Sequence, residues 1–479
     1  MLPSFQFGRV VRHYRSQQIY RQSDCIRLRR SSKGLSCLRC EVNRDEMKED
    51  KRMPFEIAMR VIAGDLNFPT SLAFDGEGVP YIAESGLPLD GAPRNGRVLR
   101  LLGNGRQECL VQDLHAPVTG LVYHDGYLYV SEGGHRGRIS RISCSGERET
   151  LLDGLPGFGN YHTDTVAIGA DGKMYFGQGA HTNSGIIGTD SLHLAWLGRL
   201  PHDPDIPGYS VRLTGWNAET VDERSSDSTR RILTGPFMPY GQATAEGQVV
   251  PGRLPCTASV MRSNLDGSNL ELVAWGIRNA FGLGFLPDGR LLATDQGADE
   301  RGSRPIANAP EFLFEVKRGS WYGWPDFIGG EPVTDSKYCA LGAASPKFLL
   351  VNHDELPRPE RPLAVFPTNS AATKFDVTPA SSSFGQRHLI VALFGDEKPM
   401  TGTSSPRSGR ALARVDLHDW SVKLFAQHCF ARPIDVGFSP RTGELHVLDF
   451  GKFEMGREGR VIARRGSGKL ATLELRNLA

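Results

Sequence analysis

The chain has 479 residues, 39% hydrophobic and 23% charged, with a formal net charge of +2, a globular composition with room for one large domain or a few ordinary ones. No run of eighteen apolar residues occurs, so no transmembrane helix is expected. Residues 1–52 hold 13 Lys/Arg against 6 Asp/Glu and the remainder 43 against 48, so the bulk is mildly acidic and lacks the basic footprint that nucleic acid requires.

Residues 1–52 show no apolar periodicity and are dense in arginine, from Arg9 to Arg30. They contain no apolar h-region of a secretory signal. A disordered basic tail, an organelle-targeting segment and a misassigned start (with Met47, Met53 or Met59 the true one) all fit. Cys37 and Cys40 form a CxxC, but Glu41 follows where a haem motif needs His, and no second pair lies at zinc spacing. The pair reads as incidental.

From Phe68 onward one pattern recurs. An apolar run leads to a Gly-containing turn, a second apolar run follows, and an acidic or polar residue closes it. The copies are Leu72–Phe74 with Tyr81–Ala83 and Glu84; Leu121–Tyr123 with Leu128–Val130 and Glu132; Val166–Ile168 with Met174–Phe176 and Gln178. They continue with Leu283–Phe285, Leu291–Ala293 and Asp295; a looser Phe375–Val377, Leu389–Val391 and Asp396; and Val436–Phe438, Leu445–Val447 and Asp449. Asp-Gly between apolar runs signals a hairpin, because its turn needs positive φ. Near-continuous apolarity suits strands buried on both faces. Further short strands are expected at Arg97–Leu101, Arg138–Ile142, Phe312–Val316 and Arg460–Ala463.

A four-stranded unit repeated around an axis is a propeller blade. The expectation is an all-β, six-bladed β-propeller over 53–479, with loop insertions at about 185–262 and 318–370 where blade spacing stretches. Ile57–Ile62 is expected to pair with the last blade and close the ring.

The hairpin geometry places the start of each first strand and the end of each second strand at one end, near the axis. Thr119, His162, Arg278, Asn279, Lys374 and Arg432 precede first strands; Glu84, Glu132, Gln178, Asp295, Gln296 and Asp449 follow second strands. Together they predict a polar mouth over an apolar core, a natural small-molecule site. Any one of the acids has an equally ordinary use, bonding the backbone of the next loop. His162, Asp164 and His181 offer a metal-site alternative of no recognised spacing.

Several segments resemble the glucose/sorbosone dehydrogenase family of soluble pyrroloquinoline-quinone-dependent propellers. These are Gly154-Leu155-Pro156 with Tyr161-His162-Thr163; Gly276-Ile277-Arg278-Asn279-Ala280-Phe281-Gly282; Asp295-Gln296-Gly297-Ala298 with Gly319–Pro325; and Ala431-Arg432-Pro433 with Val447-Leu448-Asp449. The resemblance implies oxidation of a sugar at its anomeric carbon, using pyrroloquinoline quinone and Ca2+. It implies His162 as general base, Arg278 as a second catalytic group, and Arg278, Asn279, Lys374 and Arg432 as cofactor ligands. Gly297 and Ala298 would offer carbonyl oxygens to calcium. The resemblance also suggests a periplasmic location. This chain departs from the family's pattern at Ala180-His181, where glucose-oxidising members carry an Asp near the base.

Three functions remain open on the sequence. One is the quinone-dependent oxidoreductase acting on a small-molecule sugar, with unknown electron acceptor. Another is a calcium-dependent lactonase-type hydrolase using a carboxylate ring such as Glu84, Glu132 and Asp449. The third is a non-catalytic ligand-binding propeller. No P-loop, G-x-G-x-x-G after a strand, G-x-S-x-G or H-E-x-x-H occurs.

Overall fold

The computed structural model describes residues 55–477 apart from 104, 158, 195, 399, 403–406 and 457–459. The 1–52 segment, with Cys37 and Cys40, lies outside the described residues. Each of the six hairpins read from the sequence forms the inner two strands of a blade. Asp125 and Gly126 show why: both have positive φ, 46° and 81°, the conformation that a two-residue turn between twisted strands demands.

Blade 1 comprises Pro69–Phe74, Pro80–Glu84, Gly96–Leu101 and Gln107–Leu114. Blade 2 comprises Val118–His124, Tyr127–Glu132, Gly137–Ser143 and Arg148–Leu155. Blade 3 comprises Thr163–Ile168, Lys173–Gln178, Ser259–Asn264 and Glu271–Trp275, with a short parallel strand, Ser320–Trp321, at its edge. Blade 4 comprises Ala280–Phe285, Leu291–Asp295, Glu311–Glu315 and Ala364–Phe366. Blade 5 comprises Ala372–Val377, His388–Leu393, Ala411–Asp416 and Val422–Phe425.

Blade 6 uses both ends of the chain: Pro433–Phe438, Leu445–Asp449, Gly468–Asn477 and then Phe55–Leu66. The closure expected for Ile57–Ile62 is thus present, as an antiparallel pairing of Phe55–Leu66 on Gly468–Asn477. Arg460–Ala463 is not a blade strand. Val461–Ala463 pairs with Phe453–Met455 in a separate hairpin, and the longer strand Gly468–Asn477 takes the place in the blade, burying Leu470, Ala471 and Leu473.

The long connections fall between strands of one blade. The first separates Gln178 from Ser259, and the second Glu315 from Ala364. They share a core around Trp275, Trp321 and Trp324, and a bridge joins Leu213 to Leu350.

The six innermost strands pack in a ring, and a hydrogen bond crosses every junction. Thr70 donates to Val118 O at 2.7 Å, Thr165 to Phe281 O at 2.6 Å, and Thr119 to Thr163 O. Thr294 donates to Thr373 O, Phe438 N to Asp376 at 2.7 Å, and Leu72 N to Asp435 at 2.7 Å. Every blade also carries a register shift after the first pair of its inner hairpin. One extra residue on the inner strand is the geometry of a β-bulge, which re-aims side chains. The bulged stretches include Thr119, Asp164, Thr373 and Lys374.

Candidate functional site

The main chains of His162 and Arg278 are joined through the turn at 179–180. Gly179 N donates to His162 O at 2.8 Å, and Ala180 N to Arg278 O at 2.8 Å. The Arg278 guanidinium lies over the Tyr161 ring, 4.6 Å from its centroid. Three segments distant in sequence therefore meet, as the hairpin geometry requires.

His162 is half-buried, and its Nδ1 lies 2.7 Å from Gly157 O. A carbonyl only accepts, so Nδ1 carries the proton and Nε2 presents a lone pair. Burial lowers the imidazole pKa, the Gly157 bond partly restores it, and His181 lowers it again. The ring therefore stays neutral to lower pH than an ordinary histidine, as a weaker base. His181 shares the same loop, its Nε2 lying 3.3 Å from Pro156 O.

Arg278 is buried, and five protein acceptors surround its five donors. Nε bonds Asn183 O at 2.8 Å; Nη1 bonds Gln296 O at 2.9 Å and Gly297 O at 2.6 Å. Nη2 bonds Asn183 Oδ1 at 2.8 Å and Asp299 Oδ2 at 3.2 Å. Asn279 Nδ2 bonds Gln296 Oε1 at 2.9 Å, while Asn279 Oδ1 is buried with no donor. Arg301 links Asp299, at 3.0 Å, to Asp190 in the first insertion, which fastens that insertion across the mouth.

Arg432 is also buried. It bonds Phe453 O at 3.0 Å, Gly395 O at 2.8 Å, Asp396 O at 2.7 Å and Glu454 at 3.1 Å. Beside it Glu397 has its pKa raised by burial, against the pull of Arg432.

Lys374, expected among the cofactor ligands, has its ammonium taken up by the protein. Its ammonium reaches across the channel to Thr70 O at 2.8 Å, Ser71 Oγ at 2.7 Å and Thr119 O at 2.6 Å, with Asp435 at 3.6 Å. Its three protons are spent on blades 1 and 2. Burial lowers its pKa, while Asp435 and Asp164 pull it back up. Lys374 lies in the bulged stretch of blade 5. Asp164 shares the cluster; burial raises its pKa well above the carboxylate range, and its Oδ2 lacks a donor.

The strand-end acids serve the backbone. Glu84 accepts Asn67 N at 2.7 Å, Glu132 accepts His115 N at 2.7 Å, and Asp295 accepts Asn279 N at 2.8 Å. Asp449 accepts Ala431 N at 2.9 Å and Arg432 N at 2.8 Å. Among the described residues no group of three His, Cys, Asp or Glu is placed to hold a metal, so neither the carboxylate ring nor the His162–Asp164–His181 set forms.

Sequence reasoning missed Tyr161, Asn183, Asp299, Arg301 and Glu311. Asn183 and Asp299 obey the rule already used, since each follows a second strand by a few residues. Glu311 carried no signal, because it opens a third strand and reaches the mouth only through the sheet.

No family model matches the chain. Quinoprotein glucose dehydrogenase B of Acinetobacter calcoaceticus is 29% identical over 137 residues, 26% of this chain and 27% of that protein. The match therefore spans about a quarter of that relative's length. The glucose dehydrogenase-type oxidoreductase of Thermus thermophilus superposes with a TM-score of 0.51 at 17% identity, covering 87% of this chain and 99% of that one. The holo PQQ domain of pyranose dehydrogenase from Coprinopsis cinerea gives 0.53 at 15% identity, covering 87% and 95%. No helix among the described residues is long and apolar enough to cross a membrane. The chain is a six-bladed β-propeller that resembles the quinone-dependent glucose dehydrogenase-like propellers.

Proposed function

We propose that the mouth oxidises an aldose or related sugar at its anomeric carbon, in the manner of the quinone-dependent sugar dehydrogenases it resembles. The observation that carries the reading is the His162 tautomer: Nδ1 is pinned to Gly157 O at 2.7 Å, leaving Nε2 as the free base.

The two groups that the resemblance implies fit this mouth differently. Pyrroloquinoline quinone is a flat polycarboxylate, and the donor set suits it. Most acceptors that Arg278 and Arg432 hold are neutral main-chain carbonyls. A carboxylate makes the stronger bond, because both partners are then charged. Arg278, Asn279 and Arg432 would hold the cofactor; Lys374, committed inside the channel, supplies only background positive charge. Calcium, which needs several oxygens, does not fit beside them: of Gly297 and Ala298, the two carbonyls the resemblance assigns to it, Gly297 O already accepts the Arg278 guanidinium at 2.6 Å.

When bound, the quinone supplies the acceptor for the two electrons of the anomeric C–H bond. His162 Nε2 takes the hydroxyl proton as the carbonyl forms. Gly157 O stabilises the resulting imidazolium through Nδ1–H and keeps the ring aimed. Burial, which lowers the His162 pKa, keeps the base unprotonated before turnover and hastens proton release after it. Tyr161 and Asn183 hold Arg278 in place.

The test is an absorbance titration of the purified chain with pyrroloquinoline quinone, followed by sugar-dependent dye reduction. The expected result is saturable quinone binding and aldose-dependent turnover that His162→Ala lowers by roughly 10²–10⁴ without loss of the quinone spectrum. Absence of saturable quinone binding refutes the reading.

A further inference from the structure

Two carbonyls in succession, Pro156 O and Gly157 O, precede the inner strand of blade 3, and side chains of that blade meet both. Gly157 O faces His162 Nδ1 at 2.7 Å. Gln178 Nε2 donates to Pro156 O at 2.6 Å, and His181 Nε2 lies 3.3 Å from the same oxygen. Gln178 is fully buried, and its other end is fixed too: Thr163, its partner across the hairpin, donates to Gln178 Oε1 at 3.0 Å. The peptide between Pro156 and Gly157 is therefore gripped twice, its oxygen by Gln178 and its N–H by Leu155 O at 2.8 Å. That is a three-residue turn centred on a proline, whose ring already restricts φ. The walls leave this turn little room to shift. A Cβ on Gly157 would lie 2.8 Å from the Gly137 Cα of blade 2, and one on Gly159 would lie 2.8 Å from the His181 ring. His181 is itself anchored, its N donating to Asp205 Oδ1 at 2.6 Å and its O accepting Asn160 N at 2.9 Å.

We infer that Gln178 is a positioning residue for His162, acting through the Pro156–Gly157 turn. A neutral imidazole can carry its proton on either nitrogen, and the Gly157 carbonyl selects the Nδ1–H form only while it points at the ring. Gln178 holds the preceding peptide, and so fixes where that carbonyl points. Without the Gln178 bond the turn is free to swing. The Nε2–H form, which has no lone pair at Nε2 to receive a proton, then competes. The use of Nε2 as a base rests on the reading above, whereas the tautomer and its clamp do not.

The experiment reads the tautomer directly. Long-range proton–nitrogen correlation spectra of the full chain, labelled with nitrogen-15 histidine, are recorded at about pH 8, where imidazole is neutral. The wild type is compared with Gln178→Met, and His162→Ala assigns the signal. Methionine has nearly the length of glutamine and donates no hydrogen bond. In the wild type, His162 Nδ1 is expected to carry the proton, with the two ring-nitrogen shifts far apart. In Gln178→Met the two shifts are expected to draw together as the Nε2–H form appears. With quinone and sugar, Gln178→Met is expected to lose roughly 10–100-fold in kcat, with KM little changed.

A wild type protonated at Nε2 overturns the inference. So does a folded Gln178→Met that melts lower yet keeps the wild-type shifts, since Gln178 is then only structural. If Gln178→Met does not fold, Thr163→Val decides: it removes the hydroxyl that fixes Gln178 Oε1 at nearly the same size. Shifts that draw partly together in Thr163→Val support the clamp, and wild-type shifts overturn it. If the tautomer moves in Gln178→Met but the wild type neither binds quinone nor oxidises sugar, the dehydrogenase reading fails and the clamp stands.

Discussion

Replacing Glu311 by glutamine tests the electrostatics under the mouth. The buried Glu311 carboxyl accepts Gly297 N at 3.0 Å. Burial raises its pKa to about 8 from an ordinary 4.5; the Gly297 bond and Arg278 resist the shift, while Asp299 and Asp295 reinforce it. Between those values the folded chain holds a proton that the unfolded chain has released. Stability therefore falls as pH climbs from about 4.5 to about 8. At ~1.4 kcal/mol per pH unit, the cost reaches about 3 kcal/mol near neutrality and about 5 kcal/mol above pH 8. Glu311→Gln retains an oxygen for Gly297 N and removes the ionisation. Near pH 5 the variant and the wild type are expected to unfold together. Near pH 8.5 the variant is expected to melt about 5 °C higher, since a domain this size loses roughly 0.9 kcal/mol per degree. Thermal midpoints of both proteins across this range check the claim. A difference in midpoint that stays flat with pH would refute the reasoning.

The other predictions are independent of that one. His162 is pushed below the ordinary histidine range by burial, so kcat/KM for a sugar is expected to rise with pH to a plateau, with its midpoint below 6.5; a midpoint above 6.5 contradicts the buried-base reading. Removing residues 1–66 deletes the outer strand Phe55–Leu66 and exposes the edge of Gly468–Asn477, so size-exclusion chromatography should find aggregate, and a monomer with unchanged melting refutes a structural role for the closure. Lys374→Met strands Asp435, 3.6 Å away, at a cost of about 3–5 kcal/mol; adding Asp435→Asn is expected to restore part of that loss in denaturant unfolding, and strict additivity of the two changes argues against the pairing.

The fold is legible in the sequence because its signal repeats. Six hairpins, each with a turn and a pair of apolar runs, specify the blades, and the apolar face of Phe55–Leu66 marks the closing strand. Two features are not legible there. Val461–Ala463 has the apolar content of a strand but too little length to compete with Gly468–Asn477. The bulge in each inner strand, invisible to a period-two count, re-aims the residues beside it. Position before a strand assigns Lys374 to the rim, while its ammonium is taken up by blades 1 and 2. Convergence of His162 with Arg278 follows from hairpin geometry alone. The partners of Arg278 do not, because Asn183, Asp299 and Tyr161 depend on how an insertion lies across the mouth.

The use already made of each polar group decides which chemistry the mouth can perform. Recruiting Glu84, Glu132 and Asp449 to a metal would strip acceptors from the amides of Asn67, His115, Ala431 and Arg432. The amide of Arg432, which is buried, would cost about 1–3 kcal/mol if left unpaired, and Glu84 would also leave Arg97, now at 2.6 Å. A carboxylate-ring hydrolase therefore has to dismantle the blade entries that shape its own site. His162 carries no such burden. Its Nδ1 proton is satisfied by Gly157 O, and proton transfer to Nε2 breaks no existing bond. Arg278 lies between these cases: releasing its carbonyls is unfavourable unless an anionic ligand replaces them. The arrangement thus favours a reaction begun by one neutral base on a ligand that brings its own negative charge or carboxylates to the guanidinium. That is the demand a polycarboxylate quinone with a sugar hydroxyl beside it would meet.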